Sequence, residues 1–101
     1  MSTDAPLEQQ FETALRACIQ HAADLDPPVR FTRLSKLVNQ IGAKAAADRV
    51  LANERVGDGL ANLALTGLEN LQYSIEHLVQ QEPWSALFTA EQLAIAKKRL
   101  Q

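Results

Sequence analysis

The sequence predicts an all-α protein, an irregular bundle of five or six short to medium helices around one core. Alanine and leucine are prominent among the hydrophobic residues, which make up 47% of the chain, while aromatic residues make up only 5%. This composition is typical of helices rather than sheets. Because 101 residues is the usual size of one domain, we expect a single helical domain over residues 1–101, with residues 1–5 frayed.

The first helix is predicted over about residues 5–23. Its apolar residues form one stripe, and the intervening polar residues fall on the opposite face, as in an amphipathic helix. Thr3 or Asp4 can cap its start, and Pro6 is tolerated in the first turn, where its missing N–H has no partner to lose. The stripe consists of Leu7, Phe11, Ala14, Leu15, Cys18, Ile19 and Ala22.

Two short helices are predicted next. Pro27 and Pro28 end the first helix, and Asp26 can cap a second helix that accepts both prolines in its first turn. Gly42 then stops this helix in a left-handed conformation, and an alanine-rich helix resumes over residues 43–53. The predicted apolar faces comprise Val29, Phe31, Leu34, Leu37, Val38 and Ile41 in the second helix, and Ala46, Ala47, Val50 and Leu51 in the third.

The C-terminal half is predicted to hold a long helix, an aromatic cluster and a final helix. Asp58 can cap the long helix, which keeps helical phase over about twenty residues from Leu60, and Gly67 should kink or break it. Pro83 closes this stretch. The residues from Thr89 to Gln92 form a capping box for the last helix. The aromatic cluster consists of Trp84, Leu87 and Phe88, and the inward side of the last helix of Leu93, Ile95, Ala96 and Leu100.

Several classes of protein are disfavoured. No apolar run approaches the roughly 18 to 20 residues of a membrane-spanning helix, and the first residues lack the basic and apolar regions of a secretory signal. We therefore expect no membrane contact and a cytoplasmic location. Cys18 and His21 are three residues apart and His77 could join them at a zinc ion. A lone cysteine in an apolar stripe is more often a small buried hydrophobe, so no metal or other cofactor is predicted.

The pattern nearest to a catalytic constellation is Ser74, Glu76 and His77. Ser74 and His77 share a helix face, but the backbone N–H groups there are already used, so no oxyanion donors stand nearby. Glu76 points to a different side from His77 and does not orient its imidazole. Solvated surface residues account for all three side chains more readily, and the same holds for Glu69. No catalytic residue is predicted, and we expect a protein that is not an enzyme.

The charge is unevenly distributed along the chain. Residues 1–28 carry five acidic residues and one basic residue, a net charge of −4, whereas residues 29–55 carry six basic and two acidic residues, a net charge of +4. The basic segment coincides with two short helices meeting at Gly42, which is the shape of a helix-turn-helix motif. An alternative function is therefore a DNA-binding regulator whose candidate phosphate contacts are Arg30, Arg33, Lys36, Lys44 and Arg49.

Two observations weaken the DNA-binding hypothesis. The candidate recognition helix carries alanines where base-reading side chains are expected, and Asp48 would face the groove or the core unfavourably. The basic residues could instead pair with the acidic first helix or form a solvated face.

The leading hypothesis is a non-enzymatic interaction or regulatory protein that binds a protein partner or a second copy of itself. Small helical domains without a catalytic constellation act most often by presenting or accepting a helix face. The stripe of the first helix is wide for a terminal helix, so Leu7, Phe11 and Leu15 are the predicted partner face. Gly67 offers a second possibility, the close approach of another backbone.

Overall fold

The computed structural model describes residues 4–53 and 58–100, and this part of the chain contains helices and no β-strand. Two 3₁₀ helices flank the fifth α-helix; the first spans Leu68–Tyr73 and the second spans Trp84–Leu87. The all-α prediction is confirmed. The α-helices of the described residues are α1 (Asp4–Ala23), α2 (Thr32–Ile41), α3 (Ala43–Ala52), α4 (Asp58–Thr66), α5 (Ile75–Leu78) and α6 (Ala90–Arg99).

The main core forms around α1. Phe11 and Leu15 are fully buried, and the Phe11 ring meets Phe88 edge-on with 5.4 Å between ring centroids. The Trp84 ring centroid lies 6.1 Å from that of Phe11, and Leu87 packs against the same core. The predicted aromatic cluster is therefore confirmed, and it packs against α1. The other fully or nearly fully buried residues of this core are Val38, Ala43, Ala46, Ala47, Leu51, Ile75, Leu78, Val79 and Ala96.

The predicted turn at Gly42 is confirmed. Its φ of +86° favours glycine, and its N–H donates to the Val38 carbonyl while its own carbonyl accepts from the Ala46 N–H. Gly42 therefore ends α2 and begins α3. Gly42 has no side chain to cap the start of α3. Glu12 of α1 caps it instead, because its Oε1 accepts a hydrogen bond from the Ala43 N–H at 3.1 Å.

The predicted start of the second helix is wrong. α2 begins at Thr32, and residues 24–31 form a non-helical connector. Pro27 precedes a second proline, which disfavours the α conformation there. The Val29 N–H donates back to the carbonyl of Ala22 at 2.9 Å, and the Val29 side chain is buried in a small second cluster with Ala22 and Leu63. Tertiary burial of Val29 therefore outweighs the helical pattern.

The predicted long helix breaks at Gly67, as expected, where φ is +143°. The chain continues as the first 3₁₀ helix rather than as α-helix, and a second break at Ser74 was not predicted. Ser74 caps α5, because its Oγ accepts from the His77 N–H at 3.1 Å and donates to the Leu71 carbonyl at 2.7 Å. The capping box of Thr89 and Gln92 on α6 is confirmed.

The capping roles predicted for Thr3, Asp4 and Asp58 concern side chains outside the part of the chain that the structure describes. Of residues 1–5, predicted to be frayed, residues 1–3 lie outside the described part, whereas residues 4 and 5 belong to α1.

Candidate functional site

The five basic residues predicted to contact DNA have different environments. Lys44 is engaged within the fold, because its Nζ lies 2.7 Å and 2.9 Å from the two carboxylate oxygens of Asp48. Its ammonium also stands 5.2 Å from the centroid of the Phe88 ring. Asp48 in turn accepts a hydrogen bond from Gln92 Nε2 of α6 at 2.9 Å. Lys44 and Asp48 thus join α3 to α6, and the positive charge of Lys44 is neutralised.

The candidate recognition helix, α3, is enclosed by other helices. It packs against α1, α2 and α6, and its exposed residues are Arg49 and Ala52. A recognition helix needs several side chains that can reach base edges in the major groove. In addition, Gly42 alone separates α2 from α3, whereas a helix-turn-helix motif has a turn of about three to four residues. This geometry differs from that of a helix-turn-helix motif.

The remaining basic residues are exposed. Within residues 4–53 and 58–100, no ion pair involves Arg30, Arg33, Lys36 or Arg49. In these ranges, acidic residues of α1 do not neutralise these four basic residues. Glu12 of α1 instead pairs with Arg16 of the same helix at 3.5 Å. Arg33 and Lys36 lie three residues apart on α2, so they share a face. They form a small, solvated positive area.

The predicted partner face on α1 is largely inside the protein. Phe11 and Leu15 have no exposed surface, and Leu7 is half-buried. A partner could contact Phe11 or Leu15 only if α1 left the core. The surface considered below is therefore built on other residues.

Ser74 and Glu76 are buried, which corrects their interpretation as solvated surface residues. The Glu76 Oε2 lies 3.5 Å from Arg99 Nη1, and the two side chains are only 5% and 9% exposed. Arg99 also donates to the Val50 carbonyl at 3.0 Å and to the Asn53 carbonyl. Arg99 therefore ties α6 to α5 and to the C-terminal end of α3, and this is a structural role.

The residues weighed as zinc ligands do not gather at one point. Across the described ranges, no group of three His, Cys, Asp or Glu side chains is placed to hold a metal ion. Burial raises the pKa of the Cys18 thiol, so its thiolate is less populated than that of a free cysteine. The His21 ring stacks on Tyr73 with 5.3 Å between centroids. This stack packs the end of α1 against the first 3₁₀ helix.

An apolar surface that the sequence analysis did not single out lies on α4 and the residue after Gly67. Leu65 is 85% exposed and Leu68 is 73% exposed. Ala61 and Ala64 are exposed beside them. Positions 61, 64 and 65 fall on one side of α4, and Leu68 begins the first 3₁₀ helix after the break at Gly67. We call Ala61, Ala64, Leu65 and Leu68 the α4 apolar face.

The opposite side of α4 is also apolar, because Leu63 is fully buried and Leu60 nearly so. α4 packs mainly against the first 3₁₀ helix. It therefore has apolar residues on two sides but packs against the rest of the protein mainly on one of them. The helical phase predicted over about twenty residues from Leu60 includes Leu63, Ala64 and Leu68. Ala64 and Leu68 follow Leu60 at four-residue intervals, which is helical phase, so the spacing gave no signal that they would be exposed.

The sequence around the α4 apolar face contains few charged residues. No lysine or arginine occurs between Arg55 and Lys97 in the sequence. From Leu60 to Tyr73 the only charged residue is Glu69, which is exposed at the C-terminal end of the face. In the sequence, the face is flanked by the acidic residues Asp58 and Glu69.

No helix in the described residues has the length and hydrophobicity needed to cross a membrane. Comparisons of this chain with protein-family models, with curated proteins and with solved structures found no match.

Proposed function

We propose that this protein is a non-enzymatic interaction protein that binds another protein chain through the α4 apolar face. The observation that carries the proposal is the exposure of Leu65 and Leu68, at 85% and 73%. Ile41, at 37%, is the other large hydrophobic residue exposed among the described side chains. Burying a leucine side chain contributes about 1.5–3 kcal/mol, so the two exposed leucines provide a driving force for association.

The backbone that carries the face is held in place before any partner arrives. Thr66 Oγ1 donates to the Leu63 carbonyl at 2.7 Å and accepts from Asn70 Nδ2 at 2.9 Å. The Asn70 N–H donates to the Gly67 carbonyl at 3.0 Å. These bonds fix the corner at Gly67 between Leu65 and Leu68. A preorganised face loses less conformational entropy on binding.

Site-specific photocrosslinking in the cells that produce the protein tests this proposal. Replacing Leu65 with p-benzoylphenylalanine puts a light-activated group at the centre of the α4 apolar face. We expect irradiation to give a discrete adduct of higher mass, containing either a second copy or another protein. The same replacement at Leu68 should give an adduct with the same protein.

The matched control carries p-benzoylphenylalanine at Gln10, which is exposed on α1. We expect it to give no discrete adduct. If positions 65 and 68 react no more than position 10, the α4 apolar face is not a binding surface.

The second candidate function is nucleic-acid binding, and the exposure of Arg30, Arg33, Lys36 and Arg49 without ion pairs in the described ranges favours it. Phosphate contacts weaken steeply with salt, so the anisotropy of a labelled DNA duplex at about 50 and about 200 mM salt measures them. We expect no binding at either concentration, because α3 is enclosed. Binding at low salt that Arg33→Glu/Lys36→Glu abolishes would favour the second function.

A further inference from the structure

We infer that α4 and the first 3₁₀ helix form an arm, residues 58–73, that opens from the rest of the protein as one unit while the main core stays folded. The inference goes beyond the proposed function, because it concerns the free chain and needs no partner. Opening of this kind requires a segment with few contacts to the core and a boundary at which its backbone separates from the rest. The arm meets both requirements.

The main core contains no residue of the arm. Its buried residues, and the half-buried hydrophobic residues packed against them, all come from residues 11–51 and 75–96. The arm instead contributes Leu63 to the small second cluster, which includes Ala22 of α1. Phe11 and Ala22 are eleven residues apart on α1, which is about 16 Å along the helix axis. The arm is therefore attached well away from the aromatic cluster around Phe11.

The contacts between the arm and the first half of the chain are apolar packing and one ring stack. Leu63 is fully buried in the second cluster, and the Tyr73 ring stacks on His21 of α1. Between residues 60–73 and residues 4–53, both of which the structure describes, no hydrogen bond or ion pair is formed. Opening of the arm therefore breaks none between these two ranges.

The arm ends where the helical path of the chain is interrupted. Ser74 has extended backbone between the first 3₁₀ helix and α5, and α5 belongs to the main core. The hydrogen bonds at this boundary run from the Ser74 N–H and Oγ to the Leu71 carbonyl. Inside the arm, the corner at Gly67 is held by the hydrogen bonds described above. The arm therefore moves as one body and carries the α4 apolar face with it.

Amide hydrogen exchange of the purified full chain, followed residue by residue by NMR in urea below the unfolding transition, tests this inference. We expect the hydrogen-bonded amides of the arm to exchange faster than those of α1 and α3. Their exchange should also share one dependence on urea, shallower than that of α3, because opening the arm exposes less surface than global unfolding. Exchange of the arm amides without urea dependence would indicate fraying of single turns. A dependence as steep as that of α3 would indicate global unfolding, and either result overturns the inference.

Substitutions in the two clusters sharpen the test. Leu63→Ala weakens the attachment of the arm and should accelerate exchange of the arm amides at least about thirtyfold. Its matched control is Leu65→Ala, at a position 85% exposed, which should change these rates by no more than about twofold. Phe11→Leu weakens the main core, which stays folded when the arm opens. It should accelerate exchange in α3 about tenfold and leave the arm amides at the wild-type rate. Equal acceleration of both by Phe11→Leu would overturn the inference, because the arm would then unfold only with the core.

The failures of the two proposals are distinguishable. Photocrosslinking at Leu65 detects contact of the α4 apolar face with another chain, whereas hydrogen exchange in the purified chain detects how the arm is attached. If Leu65 yields an adduct but the arm amides exchange only by global unfolding, the binding function stands and the arm does not. If the arm opens separately but Leu65 yields no adduct, the arm stands and the binding function fails.

Discussion

Replacing Arg99 with alanine is expected to lower the free energy of unfolding by about 3–5 kcal/mol. The substitution leaves the Glu76 carboxylate buried at 5% exposure without its counter-charge. It also removes the donor to the Val50 carbonyl. Urea denaturation followed by circular dichroism measures the change. Lys98, the exposed neighbour of Arg99, provides the control, since Lys98→Ala should change the free energy by no more than about 0.5 kcal/mol.

Replacing both partners separates the ion pair from the packing around it. Glu76→Met/Arg99→Met removes both charges and keeps apolar volume, so we expect the double variant to be more stable than Arg99→Ala. An Arg99→Ala variant as stable as Lys98→Ala would show that the two side chains are solvated rather than buried, and that α6 is held by other contacts.

Replacing Phe11 with alanine is expected to have an effect of similar size, about 3–5 kcal/mol. Phe11 is fully buried and its ring contacts both Phe88 and Trp84, so truncation opens a cavity between α1 and the second 3₁₀ helix. For a chain of this size the melting temperature should fall by at least about 12 °C. Thermal denaturation of Phe11→Ala beside Leu7→Ala, whose side chain is half-buried, should show the larger loss at position 11.

The Phe11 variant also tests the earlier hypothesis that Leu7, Phe11 and Leu15 form a partner face. Phe11→Ala can be combined with p-benzoylphenylalanine at position 65. If that chain keeps the melting temperature of the chain without Phe11→Ala but no longer forms the adduct, α1 contributes to binding directly. That result would contradict the placement of Phe11 in the core.

Local signals in the sequence were sufficient for much of the fold. The bounds of α1, the turn at Gly42 and the capping box at Thr89 each depend on residues within one or two helical turns, and each was predicted. The connector before α2 was not, because the burial of Val29 against Ala22 and Leu63 is a tertiary contact. The cap at Ser74 was missed because the helical phase of the leucines continues through it.

The functional surfaces were harder to predict. Counting charges by segment located the basic residues, but it could not show that Lys44 pairs with Asp48 while Arg33 and Lys36 remain exposed. Glu76 and Arg99 are 23 residues apart in sequence, and no local pattern links them. α4 has two apolar sides, and the period alone does not indicate which one packs against the rest of the protein. Leu65 and Leu68 were therefore not recognised as a surface.

Thiol labelling in intact cells tests most directly whether the α4 apolar face is covered by a protein. Leu68→Cys in the Cys18→Ala background places a single reactive thiol on the face, and Gln10→Cys in the same background provides the control. We expect maleimide to label position 68 much more slowly in cells than in the purified chain at a concentration where it is monomeric, with position 10 labelled equally fast in both. Equal labelling of position 68 in cells and in the dilute purified chain would contradict a binding role for this face.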